Sequence, residues 1–146
     1  MEKKLIGIAE YMDIILNLLY PPYNINSIVK IIFISFLVKF ENERITDSFK
    51  SRKNDIIETF MKNNAFKVNT DFNDFKNILE CINILSESSI IEIKEDEIFL
   101  LKKNKNINCQ NDFLCKYKKY ANEKNPILEL NKLSSQALIE EVLAYV

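Results

Sequence analysis

Two groups of carboxylates are the residues best able to do chemistry. Glu92, Glu95, Asp96 and Glu97 surround Lys94, and Glu140 adjoins Glu141. Paired carboxylates can run acid–base chemistry or hold a divalent cation. Both groups fall where solvated charge is expected, at a loop tip and on the outer face of a helix. The chain has no histidine, which removes the commonest general base and metal ligand. Cys81, Cys109 and Cys115 form no CxxC pair and are odd in number, as expected of reduced thiols in a cytoplasmic protein. The lone glycine, Gly7, excludes phosphate-cradling and nucleophile-elbow loops, which need several. Tyr11, Tyr20, Tyr23, Tyr117, Tyr120 and Tyr145 lie among apolar neighbours and read as core or interface residues. The expectation is a protein without catalysis, metal or cofactor.

Lysines are the other chemical resource. Lys50, Arg52 and Lys53 form one group. Lys102, Lys103, Lys105, Lys116, Lys118, Lys119 and Lys124 form a second, opposed over that span only by Asp112 and Glu123. This second tract is a solvated face or a set of sequence-independent phosphate contacts at Lys102, Lys103, Lys105, Lys116, Lys118 and Lys119. A net charge of −1 gives the whole molecule no pull toward nucleic acid or an anionic membrane.

The elements that must position these residues follow from periodicity. At 146 residues the chain is long enough to bury a core without staples. With one Gly and three Pro, helices should dominate. Leu5, Ile8, Met12, Ile15 and Leu19 recur at helical spacing from about Glu2 to Leu19, where Pro21-Pro22 stops the helix. Glu10 and Asp13 interrupt the apolar run too early for a leader peptide. Ile28 to about Phe40 is apolar nearly all round, yet too short and too charged at Lys30 and Lys39 to span a membrane. It reads as the central core helix. A third helix is expected over Thr46 to Asn63.

A further helix should carry Phe72, Phe75, Leu79, Ile82 and Leu85 inward, with Ile78 alongside. Ser86-Glu87-Ser88-Ser89 breaks it. Ile90–Ile93 and Ile98–Leu101 then read as strands joined by the tip Lys94-Glu95-Asp96-Glu97. Helices followed by a hairpin give a mainly α fold with a small β-hairpin. Its core is a winged helix-turn-helix over residues 1–101, with extra N-terminal and C-terminal helices. Residues 102–146 form a basic linker and a helical extension packing on the core or a partner. A short helix is expected from Asp112 to about Asn122. Pro126 breaks the chain, Ile127–Leu130 is ambiguous, and Ser134 or Ser135 caps a final helix to Tyr145.

A helix that reads a major groove presents Arg, Lys, Asn or Gln to base edges. Here Asp71, Asp74, Glu80 and Glu87 oppose Lys76, although Asn73, Asn77 and Asn83 remain able to pair with adenine. The tip acids Glu95, Asp96 and Glu97 would also repel phosphate. They, with Leu138, Val142 and Tyr145 of the final helix, are the expected partner contacts.

The run LNLLYPPYNINSIVKIIFISFLVKF (Leu16 to Phe40) and the pattern NILECINILSESSIIEIKEDEIFLL (Asn77 to Leu101) resemble the middle components of bacterial three-component ABC systems, Lamassu-type anti-phage defence among them. The resemblance covers about residues 16 to 101 and leaves the Lys102 to Val146 extension outside. It implies a cytoplasmic, non-catalytic accessory subunit bridging an SMC-like coiled-coil ATPase and an effector nuclease. The alternative is a dimeric winged-helix transcriptional regulator that binds DNA.

Overall fold

The computed structural model describes residues 2–42, 72–101, 109–111, 114–115 and 125–144. Helix α1 (Glu2–Leu19) has the bounds its periodicity predicts, and α2 (Ile28–Asn42) runs a half-turn beyond Phe40. Helix α3 (Phe72–Glu87) leads into a hairpin of β1 (Ile91–Lys94) and β2 (Glu97–Leu100). Helices α4 (Pro126–Lys132) and α5 (Ser135–Ala144) follow. The helix expected over Thr46 to Asn63 lies outside the described residues. Only Leu114 and Cys115 of the one expected from Asp112 are described. They are helical, and Asn111 Oδ1 accepts the Leu114 N–H at 3.0 Å.

Helices α1, α2 and α3 enclose one core. Helix α2 contributes Ile31, Ile34, Phe36, Leu37 and Val38, all fully buried, in keeping with a segment apolar on every side. Phe75 of α3 stacks on Phe36 at 4.6 Å and meets Phe33 edge-on at 5.9 Å. Such pairs add about 0.5–1.5 kcal/mol beyond the area they bury. Helices α1 and α3 run antiparallel. Lys4 pairs with Glu80, the Cys81 thiol donates to the Ile8 carbonyl at 3.1 Å, and Tyr11 reaches Asp74. Gly7 lies where they approach closely, since a Cβ there would sit 3.0 Å from Asn77 Nδ2.

Two inward faces differ from the periodicity. In α1 the buried set is Tyr11, Ile14, Ile15, Leu18 and Leu19, while Leu5 is 64% exposed. In α3 it is Ile78, Cys81, Ile82 and Leu85, while Leu79 is 54% exposed. Each helix carries two adjacent apolar stripes, and contacts between helices decide which one turns inward.

The hairpin is tighter than the four-residue tip expected. Lys94 pairs with Glu97, leaving only Glu95 and Asp96 in the loop. Glu95 takes φ 55°, the positive value that lets a two-residue loop follow strand twist. The α3 terminus uses another left-handed residue, Ser89 at φ 58°. Ile90 N–H bonds the Leu85 carbonyl and Ser89 N–H the Ser86 carbonyl, the paired closure of a Schellman motif. On its far side β2 meets the segment before α2. Ile98 N–H donates to the Asn26 carbonyl at 2.8 Å, and Ile28 N–H to the Asp96 carbonyl at 2.9 Å.

The C-terminal helices pack on α2. Pro126 starts α4 rather than breaking the chain, because a first-turn N–H needs no helical partner. Asn125 caps it and donates to the Tyr23 hydroxyl at 3.0 Å. Lys30 Nζ reaches the Asn131 carbonyl at 2.9 Å. Ser134 Oγ accepts from Ala137 N–H and caps α5. Ile127, Leu130 and Leu138 join the core.

Candidate functional site

The hairpin brings together the three acidic residues singled out in the sequence. Glu95 and Asp96 form the loop, Glu97 opens β2, and all three are exposed. On the outer face of the sheet Glu92 lies directly across from Phe99. Phe99 is 40% exposed and Leu101, two residues on, is 52% exposed. A cross-strand aromatic gains most from an apolar or β-branched neighbour, and a carboxylate supplies neither. Glu92 instead pairs with Lys94 at 3.8 Å. This leaves a small apolar face rimmed by acids.

Helix α3 presents a similar mixture to solvent. Leu79 and Ile84 are exposed among Asn73, Lys76, Asn83 and Glu87. Near its start, Lys4, Asn73, Lys76, Asn77 and Glu80 line a shallow groove.

A cleft of about 500 Å³ is lined by α1, Lys39 of α2, Gln110 and Asn111. Its charged groups already have partners. The Asp13 carboxylate accepts from the Gln110 and Asn111 N–H groups, at 3.2 and 2.9 Å, and from the Asn17 amide. Lys39 reaches Glu10 at 3.7 Å and Asp74 at 2.8 Å, and Asp74 also accepts from the Tyr11 hydroxyl at 3.0 Å. These contacts tie α1, α2, α3 and the 109–111 segment together, which is structural work. Among the described residues no three of His, Cys, Asp or Glu converge to hold a metal ion. No described helix is long and apolar enough to cross a membrane.

Burial sets two perturbed ionisations. The Tyr23 phenol is pushed up to about 12, chiefly by desolvation, and the Asn125 hydrogen bond only partly offsets this. The Cys81 thiol is pushed up to about 11 by burial, with a further contribution from Glu80. Neither group is poised to react near neutral pH.

Of the remaining expected contacts, the structure describes the side chain of one. Leu138 is fully buried in this chain's own core and presents no surface to a partner. Val142 belongs to α5, but its side chain lies outside the described residues. Tyr145, Lys102, Lys103, Lys105, Lys116, Lys118 and Lys119 also lie outside them. The exposed Leu79, Ile84, Phe99 and Leu101 were not expected as surface residues. Their only signal is an apolar stripe wider than one helix face needs, or one falling on the outward phase of a strand. Comparison with known proteins identifies no relative: no family model matches the chain, and no curated protein or solved structure gives a significant match.

Proposed function

We propose that the chain is a winged-helix module serving as a non-catalytic, polypeptide-docking subunit. The order of elements supports the winged-helix part. A helix, a short extended segment, a helix and a later helix lead into a hairpin whose second strand pairs back with that segment. The observation that carries the docking reading is the solvent face of α3. It exposes Leu79 and Ile84, and there Glu87 and Glu80, the latter paired with Lys4, oppose Lys76, while Asp74 turns inward to Lys39. A groove-reading helix needs the opposite balance. The resemblance of Leu16–Phe40 and Asn77–Leu101 to Lamassu-type middle components supplies the setting, a bridge between an SMC-like ATPase and an effector. Co-expression with the genes beside its own tests this. The chain should co-purify with a coiled-coil ATPase, and monomeric behaviour beside every neighbour would contradict it.

One observation favours a DNA-binding regulator as the second reading. Lys4, Asn73, Lys76 and Asn77 share a groove near the start of α3, with Glu80 the one acid among them. That reading requires a shift of DNA from upstream of its own gene that survives about 150 mM salt.

A further inference from the structure

Two of the three thiols meet in one turn. Asn111 caps a helix there: its side chain accepts the Leu114 N–H at 3.0 Å and its carbonyl the Cys115 N–H at 2.9 Å. Cys109 lies two positions before this cap and Cys115 four after it. Residues just before a cap and at the fourth helical position commonly pack together. Here both are cysteines, and both are reduced. The Cys115 thiol donates to the Cys109 carbonyl at 2.6 Å. The Cys109 thiol turns to the Asn111 carbonyl, 3.8 Å away, the same oxygen that takes the Cys115 N–H. Standard bond lengths across the first contact limit the separation of the two Cα atoms to at most about 8 Å. A disulfide spans about 4.4–6.8 Å, so even at that limit the turn need close by only about 1 Å.

A second observation places the pair together. Both thiols lie near enough to the Tyr23 hydroxyl to disfavour its ionisation. Tyr23 is buried and accepts from Asn125, so the two cysteines share one site at the edge of the core. Cys109 packs on that core, yet neither it nor Cys115 is fully buried. Cys81 differs in each respect. It is fully buried, donates to the Ile8 carbonyl, and has its thiol pushed up by burial. Such a thiol is inert toward reagents in solution.

We propose that Cys109 and Cys115 form a reversible intrachain disulfide by exchange with a low-molecular-weight disulfide such as glutathione disulfide. The thiolate of one cysteine attacks a sulfur of the reagent, releases one glutathione thiol and leaves a mixed disulfide. The other cysteine loses its proton, attacks the protein sulfur of that mixed disulfide and releases the second glutathione. The protein gives up two hydrogens with their electrons, and the reagent is reduced to two thiols. Where thiols are otherwise kept reduced, such pairs act as sensors. The link fastens Gln110 and Asn111, the segment that Asp13 holds, to the helix that begins there. The proposal is independent of the docking reading.

Mass spectrometry of the dilute full chain, equilibrated at neutral pH with glutathione and its disulfide and then quenched with acid, tests it. With both at about 1 mM, an effective concentration of about 10 mM between neighbouring thiols should make the linked form about tenfold more abundant than the reduced form. Its mass should be lower by two hydrogens, peptide mapping should join Cys109 to Cys115, and dithiothreitol should reverse it. The link should raise Tm by about 5 °C, because it closes a short loop in the unfolded chain. Cys109→Ser or Cys115→Ser should leave a persistent glutathione adduct on the remaining cysteine of the pair, whereas Cys81→Ser should leave the product unchanged. Prevalence of the reduced chain or of glutathione adducts, a link through Cys81, or a lowered Tm would overturn the proposal.

Discussion

Replacing Lys39 by Met tests how firmly three helices are tied by one partly buried cation. Lys39 Nζ lies 2.8 Å from Asp74 Oδ1 and 4.8 Å from the centre of the Tyr11 ring. Its side chain is 20% exposed and that of Asp74 15%. A hydrogen bond to a charged group contributes about 1.5–3 kcal/mol, and this residual exposure places it near the middle of that range. Losing the cation over the ring adds about 0.5–1 kcal/mol. Met keeps most of the apolar stem, so cavity cost is small. Lys39→Met should therefore lose about 2–3 kcal/mol in urea unfolding, or about 6–9 °C in Tm for a chain of this size. Tyr11 still donates to Asp74 in the variant, so the carboxylate is not stranded. A double-mutant cycle with Asp74→Asn should return a coupling of about 1–2 kcal/mol. A total loss below about 0.5 kcal/mol, or strict additivity in the cycle, would refute the reasoning.

Ser89→Gly should stabilise the chain by about 1 kcal/mol in urea unfolding, because glycine removes the Cβ penalty at φ 58°; a destabilised variant would mean that the Ser89 side chain contributes to the helix end. Leu138→Ala should cost about 2–5 kcal/mol in the isolated chain, as for any buried leucine. A cost under about 0.5 kcal/mol would instead mark Leu138 as a surface residue. Tyr23 and Cys81 both have folded pKa values raised above their ordinary 10.0 and 9.0, to about 12 and about 11. Above pH 9 the unfolded chain loses these protons first, so stability is full below that and falls as pH rises toward 12. Each group accounts for roughly 2–3 kcal/mol of that loss. A urea midpoint that stays flat from pH 8 to pH 11.5 would contradict this.

The legible parts of the fold were those governed by local physics. The C-terminal end of α1 follows from Pro21-Pro22, and the strands of the hairpin from the β-branched runs around Lys94–Glu97. The tightness of the turn was not legible, because Glu95 occupies a left-handed position usually announced by Gly or Asn. Helix phase was misread where two apolar stripes compete. In α3 Ile82 and Leu85 turn inward as their spacing predicts, but Ile78 and Cys81 complete the buried face and Leu79 is left exposed. Least legible were the polar ties. Asp13 holds Gln110 across 97 positions, and Asn125 meets Tyr23 across 102. No local pattern encodes such pairs. For the candidate site, acidity at Glu95, Asp96 and Glu97 was readable from composition. The neighbouring exposure of Phe99 and Leu101 required the register.

The central claim is that α3 and the hairpin meet polypeptide, not polyphosphate. Fluorescence anisotropy of labelled duplex DNA titrated with the full chain at about 150 mM salt measures this most directly. The expected result is binding no tighter than about 100 µM, the weak end of non-specific affinity, and unchanged by Lys76→Glu. A dissociation constant below about 1 µM, lost with Lys76→Glu or Asn77→Ala, would contradict it.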